Sequence, residues 1–270
     1  MTNGIVATMT GGDIKTLNGG TVTTMSAGKI TDMITGNVTT ITGGEIAAFK
    51  GGNISTLNGG LLTAMSGGTI NEMLFGNITN MTNGTINNLI DGLIGSMSGG
   101  LIKDMRGGKL TNMTAGNITT LRAGEIVGMS GGIIGTLSDN GKVTTMSGTA
   151  KINSMIGGDV TTINAGEIVT MSDGTVANLA GGKITTVTGG DITSMTDGIV
   201  GTMDGGTIAS LTGGWINNFN AGATIDEMDG GIIDRFTNGT LNNWISGTIN
   251  TLVNGSLALV HDNNTIGEMF

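Results

Sequence analysis

The segment MSGGTINEMLFGNITNMTNGTINNLI, Met65 to Ile90, says one eight-residue phrase three times over. Two residues rich in glycine come first, then any residue, an Ile, two variable residues, a Met or Leu, and one residue more. Written as G1-G2-x3-I4-x5-x6-M7-x8, the unit tiles the chain from Asn3 onward in about 33 copies. Position 4 is always Ile, Val or Leu, and position 7 is always large and apolar. Every Met except Met1 stands at position 7.

The interval between the two apolar positions never changes. Four units, Asp139–Ser147, Gly148–Ile156, Ala221–Asp229 and Asp262–Phe270, are one residue longer. In each, the extra residue falls between position 7 of one unit and position 4 of the next, the interval that holds the glycine pair of a regular octad. Turns absorb insertions and packed segments do not, so the glycine pair marks a corner and I-x-x-M an inward-facing piece. A helix is excluded, because glycine costs about 1 kcal/mol per site in a helix interior and recurs in almost every octad. The alternating intervals of three and five also drift off any helical stripe. Thr, Ile and Val around position 4 favour extended backbone. In a straight strand, positions 4 and 7 point to opposite faces, so the backbone must bend between them for both to reach one core. The predicted fold is all-β, an octapeptide-repeat β-helix with corners where positive φ is tolerated.

Composition narrows the function. The chain has 52 Gly, no Pro and no Cys, with a net charge of −9. Lys and Arg, 11 in all, are scattered singly, so a nucleic acid backbone meets mostly repulsion. No apolar run is long enough to span a membrane. MTNGIVATMTGGD lacks the charged and apolar regions of an export leader, so none is expected. The single His, His261, reads as a solvated residue and supplies neither a base network nor a histidine metal pair. Acidic residues such as Asp13, Glu45, Asp159 and Glu167 stand singly. No catalytic residue, metal site or cofactor is expected.

Rotated by two positions, the unit reads M-x-G-G-x-I-x-x, as in Met25-SAGKITD, Met65-SGGTINE and Met195-TDGIVGT. In this frame the chain resembles the octapeptide-repeat, triple-stranded β-helix of contractile-phage central spikes and type VI secretion spikes. The resemblance implies three identical chains wound into a rigid prism, with position 7 facing the axis. Positions 3, 5, 6 and 8 show no consistent 16- or 24-residue pattern, which points to one environment for every octad and favours the intertwined homotrimer. A single-chain β-solenoid is the alternative. In the prism, Met9, Met25, Met33, Met65, Met73, Met81, Met97, Met105, Met113 and Met129 form an axial core, where an unbranched side chain interdigitates without voids.

The aromatics break the uniformity. Trp215, Phe219, Phe236, Trp244 and Phe270 fall near the C-terminus. They divide the chain into a regular shaft, residues 3–212, and an aromatic-enriched stretch, residues 213–270, read as a wider core or a tip. Trp215, Trp244 and Phe270 are the candidate tip contacts. The function expected is a structural fibre or spike of a bacteriophage tail: a homotrimer joined to other virion proteins and touching the host surface at one end. Such a component is assembled in the host cytoplasm and needs no export leader. The alternatives are a single-chain adhesin, an ice-binding protein or a filament subunit. AGNITTLR, Ala115–Arg122, matches the Ala-Gly start and seventh-position Leu of bacterial ice-nucleation octads.

Overall fold

The computed structural model describes all 270 residues, Met1–Phe270, and consists of strands without a helix. The strands are β1 (Ile5–Leu17), β2 (Thr21–Met33), β3 (Asn37–Ile41), β4 (Glu45–Phe49), β5 (Asn53–Leu89), β6 (Leu93–Met129) and β7 (Ile133–Leu137), then β8 (Lys142–Met146), β9 (Lys151–Ile163), β10 (Glu167–Val187), β11 (Asp191–Met203), β12 (Gly206–Leu211), β13 (Trp215–Phe219) and β14 (Ala223–Met269). The chain forms two compact units, Met1–Ile134 and Gly135–Phe270.

The first unit is a parallel β-solenoid. Ile5 lies opposite Thr21, Thr21 opposite Asn37, and Asn37 opposite Asn53. The intervening octads form a second series, Lys29 opposite Glu45 and Glu45 opposite Leu61. Every such pair is two octads apart, so one coil holds two octads. The second unit winds the same way, with Lys151 opposite Glu167 and Thr175 opposite Asp191. Where a nine-residue unit intervenes the offset grows by one, as in Lys142 opposite Asp159 and Trp215 opposite Ile232.

The β-helix of octads is therefore the fold, and its winding is the single-chain alternative. An intertwined prism needs each strand to pair with another chain. Here the ladder closes within one chain, coil upon coil. The inference that all octads share one environment is corrected with it, because alternate octads lie on different sides of the coil. Residues 213–270 continue the same winding inside the second unit.

Positions 4 and 7 are both enclosed from Leu17 to Leu252, as the expected bend between them requires. Burial within Asn37–Ile41 and Lys142–Met146 follows one scheme, with positions 4 and 7 enclosed and positions 3, 5 and 6 turned outward. The ten predicted core methionines are all buried, nine of them at 0–1% exposure and Met9 at 5%. Each occupies the last inward position before a corner.

The corner explains both the glycine and the methionine. The carbonyl of the position-2 glycine accepts the position-3 N–H of the next coil, as from Thr21 to Gly4 at 2.8 Å and from Lys109 to Gly92 at 2.8 Å. Corners of successive coils therefore touch backbone to backbone. Gly116 has φ +94°, and a Cβ there meets the Gly100 carbonyl oxygen at 3.0 Å and Cε of Met97 at 2.7 Å. The side chain of Met97 thus runs beneath the corner and fills the space that the missing Cβ leaves. Met65 does the same under Gly84 and Met195 under Gly214. Leu and Ile at position 7 stop shorter, with Ile41 Cγ2 at 3.1 Å from the Cβ position of Gly60. Met is favoured because it is the longest unbranched apolar chain available at this site.

The nine-residue units solve the corner differently. The added residue makes a hydrogen-bonded turn, with Ala150 N–H donating to Ser147 O and Ala223 N–H to Asn220 O, each at 3.2 Å. Both alanines are buried at 1% exposure. A longer turn makes room for the Cβ that an eight-residue corner excludes.

Two substitutions separate backbone strain from close approach. Gly12 has φ +75° but nothing within 4 Å of its Cβ position. Gly12→Ala should cost about 1–2 kcal/mol from the left-handed backbone alone. Gly116→Ala adds the collision with Met97 and should cost roughly 3–5 kcal/mol. Adding Met97→Ala to Gly116→Ala should cost about 1 kcal/mol less than the sum of the single changes, because the new methyl enters the space that Met97 vacates. Thermal denaturation of the four variants checks this, and strict additivity would show that the two residues do not share one space.

Candidate functional site: the outward ladders and the Trp215 groove

Position 3 faces outward and stacks directly on position 3 of the next coil. Lys29 and Glu45 occupy such neighbouring positions in the first unit, with Nζ 3.2 Å from Oε2. The other oxygen of Glu45 accepts from Thr63 Oγ1 at 3.0 Å. The second unit repeats the arrangement. Lys151 Nζ lies 3.1 Å from Glu167 Oε2, and Thr185 Oγ1 donates to Glu167 Oε1 at 2.8 Å. Each carboxylate thus has a lysine one coil before it and a threonine one coil after it. Lys109 and Glu125 form a further pair at 3.1 Å. Charges that stand singly in the sequence are brought together by the 16-residue coil.

Both carboxyls titrate below the usual carboxylate range. For Glu45 the hydrogen bond from Lys29 is the main cause and that from Thr63 the second. For Glu167 the order is reversed, Thr185 first and Lys151 next. These groups are well solvated, so each pair stabilises the fold only slightly.

Amides and hydroxyls form ladders of the same kind. Asn71 Nδ2 donates to Asn53 Oδ1 at 3.3 Å, and Asn87 Nδ2 donates to Asn71 Oδ1 at 2.9 Å. Ser96 reaches Asn80 at 2.7 Å, Asn243 reaches Glu227 at 3.1 Å, and Asn250 reaches Asp234 at 2.7 Å. His261, exposed as expected, lies 3.2 Å from Asn243 Oδ1 through Nε2. No three His, Cys, Asp or Glu side chains converge as a metal site requires. No helix is long and apolar enough to cross a membrane.

The three aromatic candidates separate. Trp215 is 41% exposed and Phe270 76% exposed, whereas Trp244 is fully enclosed. Trp244 stands at position 7, in the core, so the contact role expected for it is corrected; its Nε1 has no hydrogen-bond acceptor. Phe219 and Phe236, also at position 7, stack one coil apart with centroids 4.9 Å apart and planes tilted by 34°. All three residues are enclosed in the core.

Trp215 belongs to a different environment. Ile199, Trp215 and Ile232 occupy position 3 of three successive coils in the second unit. Together with Asp197 and corner glycines such as Gly198, Gly214 and Gly231, they line an open groove of about 670 Å³. The indole Nε1 donates to Asp234 Oδ2 at 2.6 Å and pins the ring across the coil that follows. The apolar row is visible in the sequence once the 16- and 17-residue offsets are known. In the octad frame alone the three residues are unrelated.

No protein-family model, curated protein or solved structure matches the chain.

The depressed carboxyl of Glu167 fixes the sign of a pH effect. A carboxylate held below its unfolded pKa stabilises the fold above that value and loses the contribution as the pH falls through the folded one. Glu167→Gln should therefore melt lower than the parent near neutrality, and the two melting curves should converge between about pH 5 and 3. A constant difference over that range would show that the ladder does not set the titration.

Proposed function

We propose that the protein is a non-enzymatic structural shaft of the kind a bacteriophage tail fibre or spike requires. The supporting observation is the direction in which its outer side chains bond. They reach along the stack, from one coil to the next, as Lys151 to Glu167 and Asn71 to Asn53 do. Groups arranged for chemistry converge on a reacting centre, whereas ladders along a stack of strands add stiffness. The octapeptide resemblance supports the phage setting. In that setting the partners are other tail proteins and two further copies of the chain, joined through the outer faces of separately wound solenoids. Trp215 and Phe270, with Phe75 in the first unit, are the exposed aromatics available to a host surface.

The experiment is light scattering on the purified chain. A particle near three times 27.0 kDa is expected. A stable monomer would remove the homotrimeric fibre and leave a single-chain, surface-binding solenoid of the adhesin or ice-binding type. One observation favours that second reading. Thr8, Thr24, Thr40 and Thr56 lie in register on successive coils of the first unit, a rank of hydroxyls on one side. The next positions of the series are Glu72, Asn88 and Asp104, which interrupt the rank. The protein should therefore leave the shape of growing ice crystals unchanged. Faceted crystals at micromolar protein would make ice binding the better reading.

A further inference from the structure

We propose that the Trp215 groove binds an organic cation of the alkylated ammonium class. The inference is independent of the shaft reading, since it concerns one local site in the second unit. Three features of the groove converge on this chemistry. Its wall is apolar, formed by Ile199, Trp215 and Ile232, and suits methyl groups. Its aromatic member is held in place, because the indole N–H is bonded to the Asp234 carboxylate at 2.6 Å. A pinned ring meets its ligand at a lower ordering cost than a free one. An anionic acceptor on the N–H also adds electron density to the ring face that a cation meets.

The third feature is charge. Asp197 lines the groove, and its Oδ1 accepts from Gly198 N–H at 2.7 Å, while its Oδ2 has no protein partner. From Ile184 to Asp234 the chain carries seven acidic residues and no Lys or Arg. The nearest cations bound this tract. Lys183 stands one coil before Ile199 on the same ladder, and Arg235 follows Asp234 with its Nε donating to Thr237 at 3.3 Å. An anionic field over an apolar, aromatic wall attracts a cation and repels phosphate and carboxylate ligands. A small, strongly hydrated cation gains nothing from the isoleucines. A methylated ammonium uses the wall and the charge together.

The test uses the full chain and tetramethylammonium chloride as probe. The two tryptophans give two indole N–H resonances, and loss of one in Trp215→Phe assigns it. Tetramethylammonium should move the Trp215 resonance saturably in the millimolar range and leave that of Trp244 unmoved. Asp197→Asn should weaken the binding by about threefold. That variant keeps an oxygen for the Gly198 amide, so an unchanged melting temperature is expected and confirms an intact corner. An equal response to tert-butanol, a neutral molecule of similar size, would overturn the proposal and leave an unselective apolar groove. A linear response matching sodium chloride would also overturn it, as would saturation by cellobiose without saturation by the cation.

Discussion

The close approach of one corner to the next is the constraint on which the solenoid depends. At position 2 the backbone turns with positive φ, and its carbonyl accepts the N–H of the following coil. Both requirements exclude a side chain, one through the dihedral angle and the other through the space between coils. Backbone pairing consequently continues across many corners, and strands such as β5 run over several octads. A larger residue at each corner would separate the coils there while the flat segments stayed at strand spacing, and the stack could not remain in register.

An empty corner has to be filled from elsewhere. Glycine leaves a gap beneath the turn, and a gap forfeits dispersion contacts on every wall that lines it. Position 7 is the inward residue closest to that gap. A methionine reaches it with its ε-methyl, and Phe49, Phe219 and Phe236 reach it with a ring edge. The glycine and methionine contents are thus one feature. At corners such as Gly84, Gly116 and Gly214 the glycine is completed by a methionine from the coil before it.

The octad, its inward positions and its tolerant corner were legible in the sequence because each is fixed within eight residues. The winding was not, because positions 4 and 7 look the same in either arrangement. The signal that distinguishes them lies on the outside. Lys29 and Glu45, Lys109 and Glu125, and Lys151 and Glu167 are each 16 residues apart, a spacing that only two octads per coil turns into contact. The threonines at 8, 24, 40 and 56 carry the same period. A search for identical residues overlooks the charge pairs, since the relation is complementarity. Trp244 was misread for a related reason. Its place at position 7 already assigned it to the core, and aromatic character drew it to the surface only when considered apart from that position.

Position 3 then links the packing of coil on coil to the proposed binding of a cation. Along most of its length it carries polar or charged groups, and where opposite charges meet, each carboxylate is satisfied by the coils on either side, as Glu167 is by Lys151 and Thr185. A surface bonded to itself in this way has little left for a ligand. At Ile199, Trp215 and Ile232 the same ladder turns apolar. Coil still packs on coil, but by hydrophobic contact, which needs no counter-charge. The groove lining beside this row includes Asp197 and no Lys or Arg, with Lys183 one coil before Ile199 at its border. The proposed site arises where the rule that ties coil to coil is met by a different chemistry, and the carboxylate this change leaves unneutralised is the one a cationic ligand would balance.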